Sequence, residues 1–192
     1  MYELFLTCPK GLEEVCKAEL QNSNISEIST QPGGVSFKGN MSDIYTINLS
    51  SRVGMNLLVK VNSFNFKDLR DYYNNIYEYS WQYLLDPIMT IAIDSKVDKD
   101  SKIFNNSQFA TLKAKDAIVD KIRKVKGKRP SISKDNPDVE LRIFIKSEVC
   151  NIYLNSSGDS LYIRGNEKKD HKASINESLA SGWLTTGPKV KE

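Results

Sequence analysis

A mixed α/β (α+β) protein built of two successive units is the fold class that this sequence predicts, on three observations. Up to Phe66 the chain alternates strand and helix signals in a β-α-β-β-α-β order. From Asp68 a tyrosine-rich helical stripe opens a second set of signals. Within that set, a long amphipathic helix from Ser107 to about Lys126 stands between alternating and β-branched runs.

In the first set, Tyr2 to Thr7 is short, apolar and aromatic, and Pro9 with Gly11 ends it as a strand. Leu12, Val15, Cys16 and Leu20 then recur at helical spacing, with Glu13 and Glu14 in the first turn, where the helix dipole favours acids. Ile25 to Gln31 alternates apolar and polar. Pro32-Gly33-Gly34 turns the chain, and Val35 to Lys38 returns as the second strand of a hairpin. Asn40 or Ser42 caps a helix with apolar positions Ile44, Tyr45, Ile47 and Leu49, and Leu57 to Phe66 alternates again. This order describes a ferredoxin-like split β-α-β unit.

In the second set, Leu69, Tyr72, Tyr73, Ile76 and Tyr77 fall on one helical stripe, which Trp81, Tyr83 and Leu84 prolong until Pro87. Helical spacing is the signature of a core, so the tyrosines are expected to pack inward rather than to stack on nucleobases. Met89 to Ser95 reads as a buried strand. Ser107 caps the long helix and Gly127 ends it. Val139 to Ile145 and Cys150 to Leu154 form strands around a turn at Ser147 and Glu148; after a turn at Ser156 to Asp159, Leu161 to Arg164 adds a short strand. Beyond Gly165 the chain is polar, and Ala173 to Ala180 is a helix with too few apolar residues to stand alone.

Composition narrows the function. Three cysteines, Cys8, Cys16 and Cys150, without CxxC spacing suggest neither a disulfide framework nor a zinc site, and a reduced, cytoplasmic setting follows. No stretch approaches the ~18 apolar residues of a membrane span. The single histidine, His171, lies in a polar stretch and is expected to be solvated. There is no GxxxxGK phosphate loop, no GxSxG elbow and no GxGxxG, and Cys8 has no histidine to activate it. Neither a catalytic residue, a cofactor site nor a metal site is expected in this chain.

The charge is gathered instead. From Lys113 to Lys134 nine cations face two acids, a local +7 in a chain whose net charge is +3. A polar approach of Asn105, Asn106, Ser107 and Gln108 precedes them. Such a segment attracts a phosphate backbone, because each neutralised phosphate releases condensed counterions; the competing reading is a solvated helix face. At ~100° per residue, Leu112, Ile118, Val119, Ile122 and Val125 share a broad apolar face, and Lys113, Lys121 and Lys124 form a ridge opposite. Lys115 falls within the apolar stripe and must either snorkel out or aim at a ligand. Lys126, Lys128, Arg129 and Lys134 continue the basic set past Gly127. Asp138 is a turn-forming acid or orients one of these cations.

The stretches FLTCPKGLEEVCKAEL, PGGVSFKG, SQFATLKAKDAIVDKIR, RPSISKDNPDV and NSSGDSLYIRG, in this order and spacing, resemble the N-terminal half of bacterial 23S rRNA guanine methyltransferases that carry a THUMP domain. The resemblance implies a ferredoxin-like domain over residues 1–66, a THUMP RNA-binding domain over 67–165 and a linker over 166–192. It places the RNA-facing surface on Asn105 to Gln108, Lys113, Lys115 and the loop from Lys126 to Lys134. In the family a Rossmann-like domain follows and uses S-adenosylmethionine to methylate the 2-amino group of a guanine, with a DPxCGSGT cofactor loop and an NPPY-like motif. This sequence reaches Glu192 before either, so it is expected to dock 23S rRNA or its precursor for a methyltransferase domain beyond it. A stand-alone adaptor that binds RNA or a protein is the alternative.

Overall fold

The computed structural model describes residues 1–164 and 177–186; His171 and most of the expected linker lie outside them. The described chain divides into two units, one of Met1–Val59 together with the chain from Ser156 on, the other of Lys60–Asn155.

In the first unit the elements run β1 (Tyr2–Thr7), α1 (Glu13–Asn22), β2 (Ser29–Gln31), β3 (Gly34–Gly39), α2 (Met41–Ser50) and the start of β4 (Leu57–Asn65). The strands lie in the order β2-β3-β1-β4, with β1 pairing antiparallel to both β3 and β4. This is the expected ferredoxin-like arrangement. Leu4 and Leu6 of β1 point inward to meet Cys16 and Leu20 of α1 and Ile44 and Ile47 of α2. The strand expected from Ile25 begins only at Ser29, because Asn24 (φ 61°) and Glu27 (φ 55°) hold the backbone out of extended geometry. Asn40, not Ser42, caps α2. Its side chain accepts from the Asp43 N–H while Asp43 accepts from the Asn40 N–H, a reciprocal capping box. Tyr45 and Leu49, expected in the apolar stripe, are 64% and 80% exposed; this short helix buries only Ile44 and Ile47.

The returning segment closes the same unit. The Ser156 N–H and the Ser156 hydroxyl both donate to Leu57 O, Ser157 Oγ accepts from the Leu57 N–H, and the Leu161 N–H donates to Met55 O. Hydroxyls thus take backbone groups that a strand would have used, and Leu161–Arg164 is a 3-10 helix rather than the expected strand. The last helix is α5 (Glu177–Thr186). Gly182 is seated on Leu12 so closely that a Cβ would come 2.5 Å from Leu12 Cδ1, which supplies the packing that the sequence of this helix lacks.

In the second unit α3 (Leu69–Glu78) is capped by Asp68 and buries Tyr72 and Ile76. A 3-10 turn at Trp81–Tyr83 follows, then β5 (Thr90–Val97), α4 (Ser107–Lys126), β6 (Ser131–Ile132), β7 (Val139–Lys146) and β8 (Val149–Asn155). β5 runs parallel to both β6 and β7, as the crossover through α4 requires, and β7 and β8 form an antiparallel hairpin through Ser147 in the left-handed region (φ 51°). Trp81, fully buried, donates its indole N–H to Ile76 O at 2.7 Å. Tyr83, expected in the apolar patch, is instead 87% exposed. Tyr72 and Phe104 meet edge to face, 4.7 Å apart, at the centre of a core completed by Ile118, Ile122, Leu141, Ile143 and Ile152.

Candidate nucleic-acid interface

The basic set is organised by α4, whose twenty residues make a rod about 30 Å long. Its N-cap is Asn106, whose side chain accepts from the Gln108 N–H at 2.7 Å. Ser107, expected to be the cap, is the first helical residue, and its hydroxyl accepts from the Val97 N–H of β5. Asn105, Asn106 and Gln108 are exposed at this end and Ser107 is half-buried. At the other end Gly127 adopts the left-handed conformation (φ 74°) and donates to Arg123 O, releasing the chain into the exposed Lys128 and Arg129.

The buried face of α4 differs from the expected one. It runs through Ala110, Ala114, Ala117, Ile118, Val119 and Ile122, whereas Leu112 and Val125 are each 51% exposed. Alanines let α3 approach closely enough for Tyr72 to donate its hydroxyl to Ala110 O, and a stripe weighted by large side chains misplaces that face. The lysine ridge shifts accordingly. Lys121 lies on the flank toward α3, its side chain 17% exposed, 5.2 Å above the Tyr77 ring and 3.9 Å from Glu78. Lys124 shares that ring at 5.7 Å. Tyr77 in turn stacks on Tyr73, whose hydroxyl donates to Asp120 at 2.7 Å. Burial, followed by the Asp120 carboxylate, pushes the Tyr73 phenol up to about 12, so it remains a neutral donor. Lys113, half-buried, lies 5.7 Å over the Phe109 ring.

Lys115 neither stays in the core nor floats free: its side chain is one-third exposed and its ammonium lies 3.6 Å from Asp116. It shares with Arg129, Val119, Pro130 and Ser131, and with the carboxylates Asp116 and Asp120, the wall of a cleft of about 690 Å³. A second, shallower cleft of about 520 Å³ is lined by Arg123, Gly127, Lys128 and Arg129. Arg123 is a member that the ridge reading missed, although it stands in the same run of cations. Lys126 is committed elsewhere, donating to Leu85 O at 3.0 Å and to Asp86 at 3.1 Å. The Ile88 N–H first, then Lys126, holds the Asp86 carboxyl below its ordinary range. Lys134 is exposed after β6. Asp138 orients no cation; it accepts from the Thr90 N–H and hydroxyl, both at 2.7 Å, and these bonds hold its carboxyl low.

The residues proposed from the sequence therefore form no single cluster. The Asn105–Gln108 end and the Lys128–Arg129 end stand a helix length apart, with Lys113, Lys121 and Lys124 along the side that faces α3. No group of three or more metal-ligating side chains occurs among the described residues, and no described helix is long and apolar enough to cross a membrane. The arrangement offers fixed positive charge along a rod, suited to successive phosphates of one nucleic acid.

Comparisons with known proteins bear on the domains and the fold. Residues 3–55 match the family model described as the RlmL ferredoxin-like domain, and residues 66–155 match the THUMP domain. Ribosomal RNA large subunit methyltransferase K/L of Pseudomonas paraeruginosa is 36% identical over 184 residues, covering 96% of this chain and 25% of the relative. The protein of the same name from Syntrophotalea carbinolica is 34% identical over 191 residues, covering 96% and 26%. The chain thus spans about a quarter of the length of the curated relatives it matches. The crystal structure of SMU.472 complexed with SAH superposes with a TM-score of 0.80 at 23% identity, over 96% of this chain and 48% of that one, which shows the fold.

Proposed function

With residues 3–55 belonging to the RlmL ferredoxin-like domain family and residues 66–155 to the THUMP family, we propose that this chain is the rRNA-docking part of an S-adenosylmethionine-dependent 23S rRNA guanine-N2-methyltransferase. In this reading residues 1–66 and 67–165 act as the two docking domains and 166–192 as the lead toward the catalytic part. The S-adenosylmethionine site belongs to the portion of the relatives that this chain does not cover.

The observation that carries the reading is the basic rod of α4. Its lysines are point charges held over aromatic rings or beside carboxylates at the surface, an economical way to meet phosphates without reading bases. RNA would lie along the helix, with phosphates near Lys113, Lys121 and Lys124 and the strand continuing past Lys126, which Leu85 O and Asp86 hold, to Lys128, Arg129 and Lys134. Asn105, Asn106, Ser107 and Gln108 would meet it at the helix start, where unpaired N–H groups favour anions. Lys115 and Arg129 would hold one phosphate between them at the larger cleft.

The test is a variant with Lys113, Lys121, Lys124, Lys128 and Arg129 replaced by Gln, titrated with a 23S rRNA stem-loop at several salt concentrations. Affinity should fall by roughly a hundredfold at low salt, and the slope of log affinity against log salt should flatten by several units, since each lost phosphate contact removes ~0.9 of slope. Wild-type affinity with an unchanged slope would make the rod a solvated face and end the proposal.

A further inference from the structure

The sheet of the second unit has two faces, and α3 and α4 occupy only one. Leu141, Ile143 and Ile145 of β7 and Cys150 and Ile152 of β8 are buried beneath them. The alternate residues of the same strands point the other way, and they are neither uniformly polar nor uniformly charged. Phe144 and Tyr153 meet edge to face at 5.6 Å. Around Phe144 the register places Lys96 directly across on β5 and Asn151 directly across on β8, with Arg142 and Lys146 two residues away on its own strand.

We propose that this face is a second RNA site, which takes a short single-stranded segment with its bases stacked on Phe144 and Tyr153 and its phosphates on Lys96 and Lys146. Two independent features favour this occupant. The first is charge. The two carboxylates of the patch, Asp94 and Glu140, both engage Arg142, at 3.0 and 2.6 Å, which leaves the patch net positive with Lys96 and Lys146 exposed. The second is the mixture of side chains. Two rings are interleaved with cations and with the Asn151 amide, whose oxygen accepts from the Ser63 hydroxyl at 2.8 Å. Rings offer stacking that tolerates any base, cations track the backbone, and an amide reads a base edge, the combination that sheets use to hold unpaired RNA. Duplex RNA has no exposed base faces to offer this surface, so the two sites divide the work: α4 takes the backbone of a stem and the sheet takes an unpaired stretch.

The site goes beyond the docking role proposed above and is separable from it by experiment. Fluorescein-labelled U10 and a blunt RNA hairpin are titrated against the full chain, against Phe144→Leu, against Lys96→Gln with Lys146→Gln, and against the five-residue α4 variant. Phe144→Leu should weaken U10 about tenfold, the lysine pair should weaken U10 and flatten its salt dependence, and both should hold the hairpin as the wild type does. The α4 variant should do the converse; if it retains the hairpin while the sheet variants lose U10, the docking reading fails and this site stands. Should Phe144→Leu prove misfolded by circular dichroism, the lysine pair decides. Wild-type affinity for U10 in the sheet variants overturns the proposal. So does concentration-dependent self-association of the wild type that Phe144→Leu abolishes, since the occupant is then a second copy of the chain.

Discussion

Glu13 and Glu19 of the first unit and the lysines of α4 in the second use their charges in opposite ways. In the first, carboxylates fasten the backbone: Glu13 accepts from the Gly11 and Gly33 N–H groups, and Glu19 accepts from the Ser51 hydroxyl and from the N–H groups of Arg52 and Val53. Each ties together segments far apart in sequence. In the second, the lysines of α4 rest mainly on rings and carboxylates at the surface, and the core beneath them is aromatic and aliphatic. Removing Glu13 or Glu19 should therefore cost stability, and removing a lysine of α4 should cost binding. Partners set the difference, because a charge that satisfies backbone donors cannot also be offered to a ligand.

The largest effect expected from breaking this division lies in the second unit's core. Trp81→Ala opens a cavity and removes the donor to Ile76 O, and should destabilise by ~3–5 kcal/mol in urea titration. A loss under 1 kcal/mol would mean that the surface charges hold that unit after all. Next comes Glu19→Ala, which leaves the buried Ser51 and Val53 segment without its acceptor; a loss of ~1–3 kcal/mol is expected, with stem-loop affinity unchanged. Weakened RNA binding there would blur the contrast. Lys115→Met tests the other side. Melting temperature should hold or rise, because a one-third-exposed cation leaves an apolar flank, while stem-loop affinity falls about fivefold, at the scale of one charge-assisted contact. A more stable protein with wild-type binding would show that Lys115 only snorkels.

The smallest effect concerns pH. Hydrogen bonds from the Gly33 N–H first, then from its own N–H and that of Gly11, hold the Glu13 carboxyl below its ordinary value of 4.5. A depressed folded-state value contributes stability that is fully present above 4.5 and fades as pH falls through the lower, folded value. Thermal melts of wild type and Glu13→Gln should accordingly differ at pH 7 and converge in strong acid. A gap independent of pH would remove the carboxylate from the account.

The sequence makes periodic features legible and hides those that depend on partners. The long helix, its Gly127 stop and the strand alternations of β1 and β7 are visible because each rests on local spacing. The true face of α4 is not, since Ala110, Ala114 and Ala117 bury through α3's close approach rather than through their own hydrophobicity. The two-residue β6 exists only by pairing with β5, and Asp138 finds Thr90 across 48 positions; neither leaves a local trace. At the candidate interface the cations are plain in the sequence. Their partners, Phe109, Tyr77 and Glu78, and the placement of Arg123 beside Arg129 become visible only in three dimensions.

The first unit is not continuous in sequence, and that bears on how it is made. Its strands β1 to β3 and the start of β4 precede the second unit in the chain, yet the backbone groups of Leu57 are met by Ser156 and Ser157, 99 and 100 residues later. At ~5–20 residues per second on the ribosome, β4 of the nascent chain waits some 5–20 s for these partners. The whole second unit is translated in that interval and, being continuous, can fold first. During synthesis the segment around Met55 and Leu57 is thus an open strand edge, the point at which a holding chaperone would be most useful and a slowed ribosome most harmful.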